Sequence, residues 1–315
     1  MATIMSIFPV ITTIVAFFFT IKVYEQWRRR RRIYQFVWFV SLIMFLVTAA
    51  FEALSEFLGW SIEIYRIYLV LSASQVAIMG AGALYLILAK NVFSTKGLLA
   101  IDAILFIIIT MFSLMMTVST KTNYSALLFG AMEYPIAGIG TYSVLVICAF
   151  IAGRNMEPKQ KKMLHGHIYL IFGIIMTLWM GAYAMVAEVN PENFVAGIAV
   201  AGNAMAQHVR NFSPLMSVSG GFLLIGAAFF SYIKTRLNFN LWIALGGLAI
   251  AVAGTIARGG IEFGNVLYIG EVIGVFLLTK GFIDSDKVIR EREERIKPSE
   301  KQPEELPQLG ETTSE

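Results

Sequence analysis

Charge is scarce in this 315-residue chain. Asp, Glu, Lys and Arg together make up 15% of it, against about a quarter in a soluble domain. That deficit excludes a soluble enzyme of the doubly wound or barrel kind, a nucleic-acid-binding domain and a disordered chain. Cysteine is nearly absent. The single Cys148 sits in an apolar run, so it forms no intramolecular disulfide, and no Cys-x-x-Cys pair exists to build an iron–sulfur cluster or zinc knuckle. Histidine is limited to three residues, His165, His167 and His208, none of them in the interior of an apolar run. A bis-histidine haem held by this chain alone is therefore not expected. The first ten residues carry no Lys or Arg, so no secretory leader is expected and the first apolar stretch reads as a retained span. Walker, dinucleotide, Ser-His-Asp and His-Glu-x-x-His patterns are missing.

Apolar sequence is what remains. Hydrophobic residues make up 57% of the chain, and the mean hydropathy is +0.70. A helix crossing the hydrocarbon needs about 20 mostly apolar residues. Nine stretches satisfy this, with cores near 4–22, 33–55, 65–89, 97–118, 127–152, 168–188, 213–233, 240–258 and 261–283. They are continuous rather than alternating, which selects helices over barrel strands. The expected fold is thus an all-α polytopic membrane bundle. With the N-terminus outside, every Lys and Arg except Arg66, Lys121, Arg210 and Arg258 falls in inner loops or the C-terminal segment. This is the distribution that places the C-terminus in the cytoplasm. The sequons at Asn123 and Asn211 then face outward. The expected domains are a transmembrane unit over 1–283, a cytoplasmic helical extension over 284–297 and a disordered acidic tail over 298–315. Asp286–Arg290 and Glu291–Arg295, spaced at i,i+4, support that extension. The outer segment 189–212 is too short to cross and reads as an interfacial helix, with a re-entrant segment or a lid as the other options. The expected location is a cell membrane.

Acids in or beside the spans are the candidate functional residues, because a charge in the bilayer is costly. Glu52 and Glu56, four apart, share one helix face and can pass protons, hold a cation or bond a quinol hydroxyl. Arg66 is the cation expected to partner the outer acids. Glu133 precedes Tyr134-Pro135, where a proline frees a backbone carbonyl. Glu188 stands at the outer boundary and reads as solvated. Glu271 lies about ten residues into the last apolar run, near the expected midplane. Asp102 lies toward the inner side. His165 and His167 read as plain residues of the basic loop. The glycine clusters Gly80-Ala81-Gly82, Gly220-Gly221 and Gly246-Gly247 read as close helix packing.

The length, the hydrophobicity, the nine spans, the Arg28 to Arg32 run and the charged C-terminal segment give the chain a profile. That profile resembles the hydrophobic partner subunit of the two-subunit, membrane-bound b-type cytochrome of thermoacidophilic archaea. The resemblance implies a subunit of a respiratory electron-transfer complex, with haem b held by a partner subunit. Under that reading the outer acids Glu52, Glu56, Glu133 and Glu188 are the residues expected to line a quinol site. The residues taken alone equally suit a proton-coupled secondary transporter using Glu133, Glu271 and Arg66. Membrane lipid is the partner expected under either reading, and no nucleic acid is expected.

Overall fold

The computed structural model describes residues 4–89, 94–119, 129–195, 198–200, 202–257, 259–260 and 263–299. Among them, nine helices are long and apolar enough to cross a membrane. We number them α1 (Ile7–Arg30), α2 (Ile33–Leu58), α3 (Ile62–Ala89), α4 (Thr95–Ser119), α5 (Glu133–Asn155), α6 (Pro158–Val186), α7 (Ser213–Thr235), α8 (Asn238–Ala257) and α9 (Gly264–Ser299). The polytopic all-helical fold is the one expected. Helix α6 starts ten residues before its apolar core, because Lys159, Lys161 and Lys162 join its first turns. Lysine stems can lie along an apolar helix while the ammonium stays at the interface. Helix α9 runs unbroken through the expected extension. The tail beyond Ser299, Arg258, Glu262, Lys121 and the Asn123 sequon lie outside the described residues.

The helices form two rings that share a wall. Helix α1 packs on α2, α2 on α3, α3 on α7, α7 on α8, α8 on α9, and α9 returns to α1. The second ring passes from α3 through α6, α5 and α4 to α7. Helices α3 and α7 thus belong to both rings and cross very closely. A Cβ on Gly80 would lie 2.6 Å from the Gly220 carbonyl oxygen and 2.7 Å from its Cα. Small residues permit such approach where burial against lipid supplies no drive. The same device joins α8 to α9, where a Cβ on Gly246 would lie 2.8 Å from the Gly274 carbonyl oxygen.

Helix α5 carries the one irregularity within a span that bears on a candidate acid. Pro135 lacks an N–H to donate back along the helix, and the following residues, Ile136–Gly140, wind as a π-helix. Gly138 faces Ser113 and Ile109 of α4, so closely that a side chain there has no room.

The segment after α6 is a packed cap rather than an interfacial helix. Val189 and Met205 form an antiparallel bridge, with Asn190 N donating to Ala204 O at 2.8 Å. Phe194 stacks against Tyr65, at 5.2 Å between ring centroids, and Trp60, at 6.4 Å. Ala199 packs with Ala257, Leu267 and Tyr268. The cap therefore reaches from the α2–α3 turn to the start of α9, across the end of the six-helix ring opposite the basic loops.

Candidate functional site

Three helices of the six-helix ring turn the same kind of stripe inward. On α9 it runs Tyr268, Glu271, Val275, Leu278, Phe282, Asp286, with helical spacing of three and four residues. On α2 it runs Glu52, Thr48, Phe45, Leu42, Trp38, Gln35. On α1 it runs Thr12, Ala16, Phe19, Val23, Gln26, Arg30. Each stripe is polar at both ends and apolar between. Phe19, Leu42, Phe45, Val275, Leu278 and Phe282 form one buried cluster in the middle. Residues from all six helices line a cavity of only ≈ 20 Å³ there, among them Phe19, Trp38, Met79, Leu224, Ile243 and Phe282. Such a space holds about one water at most.

Beneath the cap lies the acid cluster. Glu52 is 2% exposed and Glu271 9%. Tyr68 Oη donates to Glu52 Oε1 at 2.5 Å. Tyr268 Oη donates to Glu56 Oε1 at 2.7 Å, and Ser6 Oγ donates to Glu56 Oε2 at 2.7 Å. The carboxyls of Glu52 and Glu271 lie within side-chain hydrogen-bonding reach of each other. Yet Glu52 Oε2 and Glu271 Oε2 are both buried with no donor among the described residues. An ionised carboxylate only accepts, so two facing carboxylates cannot satisfy one another. One proton between them supplies the missing donor. Glu271 stands seven residues from the start of α9 and Glu52 six from the end of α2, about 10 Å inside each helix end at 1.5 Å per residue. Below the pair, Ser41 Oγ donates to Gln75 O at 2.7 Å and Trp38 Nε1 to Met79 O at 3.1 Å, tying α2 to α3.

At the basic end the same ring closes with Gln26, Gln35 and Asp286. Gln35 Nε2 donates to Gln26 Oε1 at 3.4 Å. Asp286 accepts from Arg290 at 2.8 Å and pairs with Arg30 at 3.1 Å and Arg29 at 3.2 Å. Asp286 follows Glu271 by 15 positions on α9, about 22 Å along its axis.

The remaining candidates are not part of this cluster. Among the described residues Arg66 bonds none of the outer acids: its Nη2 donates to Ala187 O at 2.8 Å and so fastens α3 to the end of α6. Glu133 is fully buried, with Trp179 Nε1 donating to Oε1 at 2.5 Å and Phe129 N to Oε2 at 2.9 Å. With both oxygens taken, it anchors the start of α5 to α6. Glu188 is exposed, and among the described residues it takes part only through its backbone oxygen, which accepts from Ala206 N at 3.3 Å. The sequence reading passed over Tyr68, Tyr268 and Ser6, the hydroxyl donors that hold the acids. Tyr268, one turn before Glu271, was the signal available.

In comparison with known proteins, no protein-family model, curated protein or solved structure matches the chain.

Proposed function

We propose that the protein is a proton-coupled secondary transporter of the cell membrane in which Glu52 and Glu271 bind and release a shared proton. The observation that carries this reading is the facing pair of enclosed carboxyls, each with an oxygen that finds no donor among the described residues. Burying two ionised carboxylates costs several kcal/mol per charge without full pairing, whereas a shared proton offsets it. The distribution of polar groups supports transport rather than a static network. Acids lie under the cap, arginines and amides lie at the basic end, and a packed apolar plug separates them, so passage requires a rearrangement. The charge distribution puts the acids outside and the arginines in the cytoplasm.

The test is a pH-triggered infrared difference spectrum of the purified protein in lipid vesicles. The expected result is a protonated-carboxyl band that disappears or moves in both Glu52→Gln and Glu271→Gln. A spectrum without such a band, or one indifferent to both substitutions, overturns the proposal. The alternative, a respiratory subunit serving a haem b partner and quinol, would use the same outer acids. The plug cavity, with room for about one water, favours a proton over a quinol ring in the six-helix ring. A dithionite-reduced minus oxidised spectrum of the complex drawn from native membranes decides this. Haem bands on a co-purifying subunit would replace transport with the redox reading.

A further inference from the structure

We infer that Asp102 and His165, with the Tyr142 hydroxyl beside them, form a second proton-exchange site, at the basic end of the five-helix ring. Three helices supply it. His165 of α6 and Asp102 of α4 meet at 2.5 Å between Nδ1 and Oδ2. Tyr142 of α5 is 1% exposed and stands beside Asp102, but its hydroxyl has no well-formed hydrogen bond among the described residues. A buried hydroxyl left without a partner is costly. This one is therefore poised to donate to Asp102 whenever His165 does not.

The placement repeats that of the acid pair at the opposite end. Asp102 is seven residues from the start of α4 and His165 seven from the start of α6, about 10 Å inside each helix. The side chains are 15% and 17% exposed, so water reaches the edge of the pair without separating it. Among the described residues few groups face it. Tyr142 stands near Asp102, and Tyr142 and Tyr169 both pack on Phe172. Tyr169 bonds Ser219 of α7 at 2.7 Å. Lys162 stands three residues before His165 on α6, and Lys96 on α4 is exposed. His167 turns elsewhere: its Nδ1 pairs with Met163 O at 2.7 Å, and its ring meets Tyr85 of α3 edge-on at 5.5 Å.

The exchange balances atom by atom. Water on the basic side delivers a proton to His165 Nε2, and the resulting imidazolium donates from Nδ1 to the Asp102 carboxylate. In the reverse step His165 releases the Nε2 proton to water while its Nδ1–H stays donated to Asp102. Imidazole suits this because its charge changes near physiological pH. A fixed ion pair, by contrast, would hold one protonation state throughout.

The experiment is nitrogen NMR of the ¹⁵N-histidine-labelled full chain in lipid vesicles, followed from about pH 5 to pH 9. His167→Gln and His208→Gln isolate the His165 signals. The expected result is a His165 titration within that range. Asp102→Asn should lower its proton affinity at least tenfold, Asp102→Glu should restore most of it, and Tyr142→Phe should change it by a smaller factor. A His165 ring that keeps one protonation state across the range overturns the inference. So does a midpoint that Asp102→Asn moves less than twofold. This readout is separate from the Glu52–Glu271 infrared signal, so either proposal can fail while the other stands.

Discussion

Replacing Glu271 by Gln or by Leu separates hydrogen bonding from bulk at the acid pair. In the native ring, Glu52 Oε2 and Glu271 Oε2 share an enclosed space with no donor from neighbouring side chains. Glutamine keeps the shape and brings a permanent N–H donor to Glu52, so the fold should hold within about 1 kcal/mol. Leucine fills a similar volume but leaves Glu52 facing an apolar group. An unsatisfied buried acceptor costs about 1–3 kcal/mol, more if charged. At about 1.4 kcal/mol per tenfold, that is a loss of roughly fivefold to over a hundredfold in the folded population. The assay is thermal unfolding of the two variants in one detergent, near pH 7 and again near pH 5. Leu should unfold well below Gln at pH 7, and the gap should narrow at the lower pH, where Glu52 can carry its own proton. Equal stability of Gln and Leu at both values would refute the reasoning, because it would mean that Glu52 needs nothing from Glu271.

Four further outcomes follow from the packing. Trp179→Phe removes the donor to Glu133 Oε1, which is fully buried, and should destabilise the protein by about 1–3 kcal/mol in a denaturation series. Gly80→Ala sets a methyl 2.6 Å from backbone that cannot move aside, and should cost about 1–3 kcal/mol or prevent assembly. Gly221→Ala meets nothing within 4 Å and should be neutral or stabilising by up to about 1 kcal/mol in the same series. Phe282→Ala opens the plug, and should cost about 3–5 kcal/mol and make vesicles leak protons faster in a pH-dye assay.

The span count was legible because hydrophobic length is a local property of the chain. The acid pair was legible only as separate acids. Glu52 and Glu271 lie 219 positions apart in sequence, and their meeting depends on the ring closing between α1 and α9, which no helical spacing encodes. Arg66 shows a different limit. Its sign suited the outer acids, but its side chain fastens on the Ala187 carbonyl. Glu133 was read through the neighbouring Pro135, but its partner Trp179 comes from a different helix. Asp102 and His165 looked like a stray acid and a loop histidine because the basic turns before α6 were read as loop. Once they are helical, His165 faces α4.

The two-ring plan explains why both candidate sites sit near the ends of spans. Helices α3 and α7 form a common wall whose crossing at Gly80 and Gly220 leaves no space for a side chain. Neither ring can therefore widen at that point without separating the wall itself. The two candidate sites lie away from it, at the acidic end in one ring and at the basic end in the other. In the six-helix ring the lining cavity is too small for more than about one water, so a proton bound at Glu52 and Glu271 has no continuous water path to Asp286. Movement of α1, α2 or α9 relative to the wall would break the plug first, since Phe19, Leu42, Leu278 and Phe282 come from those helices. The cap bridges the α2–α3 turn and the start of α9, so that movement must also loosen the cap. Exposure at the acidic end and opening of the plug are thereby mechanically linked, although Leu278 lies about 10 Å along α9 from Glu271.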